Sequence, residues 1–365
     1  MKGYAVFLLL LGAGCSTASE TFANPDARES KRGESVVERT PPVASSAPQA
    51  PQAPPPAPDP TRTYSAALAS SVALPAQSPS ALSPREVLTL DIPLRGGEVV
   101  EVDAVARIDG PATLVQPMLA AAALRCSEDI LGKATVWTLS NWGAAPQAAD
   151  GTDVSVRQTA TAQRDGVATC KLMAVSGAGS FPPGAEMTVV GGGNVTRLAV
   201  RVLPKGAESR SAFLSTGVET LEAGTSSLLT NRIDAPLAYG RVKVTSDLQI
   251  STCVPGAVSR GWCSVEGSSA FSSVATRLRI VQFDKDGVNV CAQTNVPADN
   301  AAITTVSNSQ HHAKLRHDAE VVLDPRCGPR VESRLDVHVL AGNPILSERG
   351  FLDGASSTAT LVATP

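Results

Sequence analysis

The chain has 365 residues, a formal net charge of −3 and a hydrophobic fraction of 43%. Because proteins that bind nucleic acid through its phosphates carry a basic stripe, this charge argues against a nucleic-acid partner. Aromatic residues make up 4% of the chain, too few to favour a sugar-binding platform of stacked rings.

The N-terminal residues predict export. Lys2 precedes the apolar run 4–11, and Gly12-Ala13-Gly14 leads into Cys15. A charged start, a short apolar region and small residues before a cleavage point are typical of a secretory signal peptide. The apolar run is too short to span a bilayer, which takes about 20 residues. We therefore predict that residues 1–14 are a signal peptide.

The residues around Cys15 carry a resemblance. The sequence Leu-Leu-Gly-Ala-Gly-Cys-Ser at residues 10–16 resembles the lipobox of bacterial lipoproteins, although Gly12 stands where Leu is usual. The resemblance implies that Cys15 receives lipid, so that the chain is anchored to the membrane without spanning it. The alternative is ordinary cleavage that leaves Cys15 unmodified. An inner-membrane retention signal has Asp directly after the lipidated cysteine, whereas this chain has Ser16. We therefore expect the protein to be anchored in the outer membrane of a diderm host, and otherwise at the outer face of the plasma membrane.

Residues 15–84 are predicted to form a disordered spacer rich in Pro, Ala and Ser. Residues 41–60 hold nine prolines and a single charged residue, Asp59. Such a segment favours extended polyproline II, and at about 3.1 Å per residue it spans about 60 Å. A proline-rich ligand for an adaptor domain is the alternative to a plain spacer.

From residue 85 onward the pattern predicts an all-β fold of one or two antiparallel β-sandwich domains. Apolar residues alternate over 88–94 and over 100–108, and Gly96-Gly97 between them suits the tight turn of a β-hairpin. Residues 118–125 fit a short helix or a strand. Further alternating runs are Leu198/Val200/Val202, Val242/Val244, Leu248/Ile250, Leu278/Ile280, Val288/Val290 and Leu335/Val337/Val339.

A weak internal repeat suggests two units. Residues 164–170 and 285–291 each place a basic-Asp-Gly turn before a strand that carries a cysteine. Duplication and independent use of the same turn chemistry explain this equally well. We predict a first β-sandwich over 85–204, a second over 205–352 and a flexible tail over 353–365.

The chain has seven cysteines, and setting Cys15 aside for lipid leaves an even number that can pair in an oxidising compartment. If each unit folds alone, the two cysteines of the first unit pair with each other. In the second unit, the two that bracket a Pro/Gly loop suit a local link. The predicted disulfides are Cys126–Cys170, Cys253–Cys263 and Cys291–Cys327.

All four histidines lie in the second unit, and three of them are weak candidates for a metal site: His311, His312 and His317. On a strand, His311 and His317 share one face, while His312 shares the other with Lys314 and Arg316, whose charges repel a metal ion. We therefore expect histidines that pack or lie at the surface, with no metal and no cofactor.

The segment 310–344 resembles uncharacterised secreted β-proteins of high-GC bacteria, which implies a secreted β-domain and no particular activity. No catalytic motif identifies catalytic residues. The sequence favours a non-catalytic, lipid-anchored lipoprotein of the cell envelope that acts as an interaction or structural module, with an envelope protein or polymer as partner. The alternative is a secreted hydrolase or metal-dependent enzyme that uses residues 311–317.

Overall fold

The computed structural model describes residues 61–78, 81–110, 118–132, 135–142, 151–177, 186–214, 218–221, 224–235, 239–256, 258, 263–299, 301–348 and 350–364. The predictions for the signal peptide, for Cys15 and for the proline-rich segment lie outside these residues. The described part is nearly all β, as the alternating pattern predicted. No helix in these ranges is long and apolar enough to cross a membrane.

The strands of the N-terminal half are β1 (Arg62–Ala67), β2 (Val72–Pro75), β3 (Arg85–Leu94), β4 (Val99–Asp109), β5 (Met118–Cys126), β6 (Thr135–Trp142), β7 (Thr152–Thr161), β8 (Gly166–Gly177), β9 (Glu186–Val189) and β10 (Arg197–Val202), with the short helix α1 (Glu128–Leu131) after β5. Those that follow are β11 (Glu208–Leu214), β12 (Val218–Leu221), β13 (Gly224–Asp234), β14 (Arg241–Thr252), β15 (Phe271–Phe283), β16 (Val290–Val296), β17 (Ala302–Ser307), β18 (His312–Val322), β19 (Arg330–Gly342), β20 (Ile345–Glu348), β21 (Gly350–Phe351), β22 (Gly354–Ala355) and β23 (Ser357–Thr364).

The first sandwich consists of two sheets. One has the order β1-β10-β4-β9-β2, with β7 also paired to β4, and the other has the order β21-β22-β6-β5-β8-β3. Strand β5, which the sequence left open between helix and strand, is buried on both faces. Ala122 and Leu124 face the main core, while Ala121 and Ala123 pack against Trp137. A strand covered on both sides carries a continuous apolar run, which hides the period of two.

The second sandwich also has two sheets. The first has the order β11-β23-β14-β20-β12, with β18 paired to β14, and the second has the order β13-β19-β15-β16, with β17 paired to β15. Its core is separate from that of the first sandwich and contains the fully buried side chains of Leu248, Leu278, Leu335 and Leu361. The chain passes from β10 to β11 through residues 203–207, and Pro56–Pro365 form one compact unit.

The predicted hairpin around Gly96-Gly97 is wrong. Strands β3 and β4 lie in different sheets: β3 pairs with β8, and β4 pairs with β10 and β7. The turn itself is present, and Gly97 has a φ of 86°. Both strands carry one apolar face, and these faces meet across the core instead of side by side. Alternation identifies the buried face of a strand but not its neighbour.

The spacer was predicted to extend too far. Residues 62–75 form β1 and β2, which pair with β10 and β9 in the first sandwich. Leu68 and Leu74 lie in its core, and Leu74 is fully buried. The Ala- and Ser-rich flank looked featureless because two short strands need only a few apolar side chains to join an existing sheet.

The prediction of a flexible tail over 353–365 is also wrong. Strand β23 lies between β11 and β14, with Ala359, Leu361 and Ala363 almost fully buried. Just before it, residues 350–355 run back to the first sandwich, where β22 makes a parallel bridge to β6. The approach is close, since a Cβ at Gly354 would lie 2.4 Å from the Thr135 carbonyl oxygen.

Three disulfides link the pairs that the spacing favoured. Cys126–Cys170 joins β5 to β8, and the others are Cys253–Cys263 and Cys291–Cys327. Disulfides of this number are typical of an exported protein in an oxidising compartment.

The two segments of the weak repeat hold different positions. Strand β8, which begins at Gly166, lies inside its sheet, whereas β16, which begins at Val290, lies at an edge. Val288 and Val290, which the alternating pattern included, are exposed there. The shared turn is therefore used in two different contexts.

Candidate functional site

Several buried polar and charged side chains lie where the two sandwiches meet. We term this region the polar interface. It is formed by outward side chains of β14 and β18 against β4, β6 and β7. Gln249, which is fully buried, lies at its centre. The Gln249 Oε1 accepts a hydrogen bond from the Leu139 amide (3.0 Å), and its Nε2 donates to the Leu139 carbonyl (3.1 Å). One side-chain amide thus pairs with the backbone of β6 as a neighbouring strand would.

A charged cluster lies beside Gln249. Arg157 of β7 donates to both carboxylate oxygens of Asp247, at 2.9 and 2.5 Å, and to Asp318 at 2.5 Å. The Asp247 side chain is 2% exposed. Burial lowers the pKa of Arg157, but the charges and hydrogen bonds of Asp247 and Asp318 outweigh it, so that the net pKa is raised. A buried pair of this kind is costly to break, because loss of one partner leaves the other charge unpaired.

The histidine segment leads into β18, and His312 and His317 lie on opposite faces of this strand, as the sequence predicted. His317 faces the core of the second sandwich, where its Nε2 lies 2.8 Å from Thr276 Oγ1 and burial lowers its pKa. His312 is on the opposite face, towards the first sandwich. The strand therefore separates His312 from His317. Across the described ranges, no group of three or more His, Cys, Asp or Glu side chains could hold a metal ion.

His312 belongs to a small polar cluster with Ser251 and Glu348. The Ser251 hydroxyl contacts both His312 Nδ1 and Glu348 Oε1, and that same nitrogen lies 3.1 Å from Glu348 Oε1. Burial alone would raise the pKa of Glu348. The charge and hydrogen bond of His312 and the hydrogen bond of Ser251 outweigh burial, so that the pKa is lowered overall.

This cluster does not have the geometry that activates a serine. In a catalytic triad, the serine and the acid contact opposite nitrogens of the imidazole, so that the ring can take a proton from one side while the acid holds the other. Here Ser251 and Glu348 share Nδ1. In addition, the backbone amide of His312 donates to Asn141 Oδ1 at 2.9 Å, which ties the segment to β6. The arrangement joins strands together.

Lys314 is the most perturbed cation of the interface. Its Nζ donates to the carbonyl oxygens of Trp137, at 2.9 Å, and of Ser356. Burial lowers the pKa of Lys314 to about 7; Asp247 opposes this shift and Arg316 adds to it. Lys314 and Arg316 line a cavity of about 230 Å³, and Arg316 also donates to Ser155 Oγ at 2.6 Å. From the sequence, both residues were considered only as cations that share a strand face with His312 and repel a metal ion.

The interface residues left no signal in the sequence. Asp247 and Gln249 alternate with apolar residues on β14, which is also the pattern of a strand with one face in water. Their burial depends on a second sandwich lying over that face. No local pattern reports such a contact.

No protein-family model matches the chain, and no curated protein matches it. Among solved structures, it is similar to the VP2 subviral particle of infectious bursal disease virus at 10% identity and a TM-score of 0.27, over 80% of this chain and 75% of that one. It is also similar to the CBM22-1-CBM22-2 tandem domain of Paenibacillus barcinonensis Xyn10C at 13% identity and a TM-score of 0.22, over 83% and 91% of the two chains. At these TM-scores the likeness carries no conclusion about function.

Proposed function

We propose that this protein is an exported, lipid-anchored lipoprotein of the cell envelope whose two β-sandwiches act together as an interaction or structural module. The observation that supports this best is the polar interface. Its buried charged side chains, Arg157, Asp247 and Lys314, are engaged in contacts between the sandwiches. Groups held in this way stiffen the body of the protein and are poorly placed to attack a substrate.

The alternative of an enzyme built on residues 311–317 finds less support. It needs His311, His312 and His317 to converge, yet His317 faces the core of the second sandwich and His312 faces the first sandwich. The Ser251 cluster, the nearest approach to a nucleophile with a base, lacks the relay geometry described above.

The anchor is the first half of the proposal. Acylation of Cys15 would hold the chain at the membrane surface, since each buried CH₂ of an acyl chain contributes about 0.8 kcal/mol. The proline-rich segment would then hold the sandwiches at a distance, and its 20 residues from 41 to 60 span about 60 Å in polyproline II. The proposed partner is an envelope protein or polymer within that reach.

Metabolic labelling tests the anchor. Cells that express the full chain are grown with a palmitate analogue, and label on the protein and its membrane fraction are measured for wild type, Cys15→Ser and the matched control Ser16→Ala. We expect wild type and Ser16→Ala to be labelled and membrane-bound, and Cys15→Ser to be unlabelled and soluble. Equal labelling of Cys15→Ser would contradict lipidation at this residue.

A further inference from the structure

A second polar region lies on the outer face of the sheet β13-β19-β15, away from the polar interface. Four arginines and two acids project from it: Arg232, Arg277, Arg279, Arg334, Glu332 and Asp336. The strand register places Arg277 opposite Asp336 and Arg279 opposite Arg334. Two like charges directly opposite each other are unfavourable, so the acids must be shared diagonally.

Both carboxylates of this face pair with other arginines, so Arg277 has no carboxylate partner among the described residues. Asp336 pairs with Arg279 instead, with its oxygens 2.8 Å from Nη2 and 2.5 Å from Nε. Glu332 accepts hydrogen bonds from Arg232 and Arg334. Arg277 is left with one long hydrogen bond, from Nη2 to the Asp299 carbonyl at 3.3 Å.

A cavity of about 160 Å³ adjoins this guanidinium. Arg277, His338 and Asp336 line it, and the short side chains of Ala275 and Ala301 leave it open. Arg277 Nε and His338 Nδ1 are both buried without a hydrogen-bond partner. Buried polar atoms normally find a partner, and a charged donor without an acceptor is especially costly. Because a guanidinium nitrogen can only donate, the unpartnered Arg277 Nε indicates a missing acceptor beside this cavity.

We propose that this cavity binds the carboxylate group of a small acidic ligand through Arg277. A guanidinium presents parallel N–H donors that match the two oxygens of a planar carboxylate. Asp336 favours a singly charged group, because its own charge repels the dianion of a phosphate more strongly. The site lies on the second sandwich and does not depend on the lipid anchor, so either proposal can fail without the other.

Calorimetric titration of the exported Cys15→Ser protein with galacturonate, acetate and inorganic phosphate tests the site. We expect saturable binding of both carboxylates and weaker binding of phosphate. Arg277→Gln should weaken carboxylate binding roughly ten- to hundredfold, as loss of a charged hydrogen bond does. Arg241→Gln is the matched control, since Arg241 is an exposed arginine of the same sandwich that pairs with Glu320, and it should bind as the parent does.

A second variant fills the cavity without removing charge. Ala301→Leu places a larger side chain in the space and should also reduce carboxylate binding while Arg277 stays in place. The proposal is overturned if the parent protein shows no saturable carboxylate binding, if phosphate binds more tightly than the carboxylates, or if Arg277→Gln binds as the parent does. It is equally overturned if Ala301→Leu retains full affinity.

Discussion

Replacement of Lys314 by Met should change how the stability of the protein depends on pH. In the folded chain the pKa of Lys314 is lowered to about 7, whereas its ordinary value is 10.5. Between these two values, the unfolded chain binds a proton that the folded chain has lost. The free energy of unfolding therefore rises with pH over this range, and below pH 7 the full penalty of the buried ammonium remains.

The size of this effect follows from the two pKa values. Raising the pH from 7 to 9 should increase the free energy of unfolding by at most about 2 kcal/mol through Lys314 alone. Water reaches part of the side chain, which reduces the figure. Lys314→Met removes the titrating group and should flatten this rise. It also removes the hydrogen bonds to Trp137 and Ser356, but that loss shifts stability equally at each pH.

Urea unfolding at pH 7, 8 and 9 measures the slope. The comparison is between the Cys15→Ser protein and the same protein with Lys314→Met, and Lys171→Met serves as control. Lys171 pairs with Glu86 at the surface, with 41% of its side chain exposed. We expect the rise with pH to persist in Lys171→Met and to be lost in Lys314→Met. An identical rise in Lys314→Met would refute the lowered pKa of Lys314.

Three further outcomes follow from the fold. A fragment that begins at residue 85 lacks β1 and β2 and should aggregate or unfold without cooperativity, whereas one that begins at residue 56 should give a single sharp transition by circular dichroism. Asp247→Asn leaves Arg157 with a weaker buried partner and should lower the free energy of unfolding by roughly 3–5 kcal/mol in urea titrations, a loss that Asp318→Asn at the exposed end should not reproduce. Non-reducing peptide mapping should recover the three disulfides within their own sandwiches, and a bridge from Cys170 to Cys253 would contradict the pairing.

Much of the fold could be predicted because a strand with one buried face has a period of two. On this basis His312 and His317 were placed on opposite faces of β18, and the structure adds that the face with Leu315 and His317 is the buried one. The same rule could not tell which strands are neighbours. It therefore turned β3 and β4 into a hairpin, although their apolar faces lie opposite each other in the core.

The terminal strands were missed for a different physical reason. Strand β23 consists largely of Ala, Ser and Thr, and its burial comes from pairing with β11 and β14. Small polar side chains can be buried when each hydroxyl finds an acceptor, as Ser357 Oγ does at the Glu348 carbonyl. Such a strand looks like a linker when it is considered alone, because its partners lie far away in the chain.

The candidate site was the least predictable part. Gln249, Asp247 and Lys314 occupy outward positions on their strands, and the sequence contains nothing to say that another domain covers them. The histidines drew attention because of their chemistry, while the residues that hold the sandwiches together resemble an ordinary hydrated surface.

The position of β23 has a consequence for the biogenesis of the protein. This strand follows every other strand of both sandwiches in the chain, yet it lies inside a sheet of the second, and β22 just before it completes a sheet of the first. An exported chain emerges from its N-terminal end, so the second sandwich cannot complete its sheet, and the first lacks its bridge to β22, until residues 350–364 have crossed the membrane. A chain interrupted during translocation would expose the unpaired edges of β11 and β14 and be open to proteolysis. Completion of the second sandwich therefore waits for a strand that is synthesised after all its neighbours in the sheet.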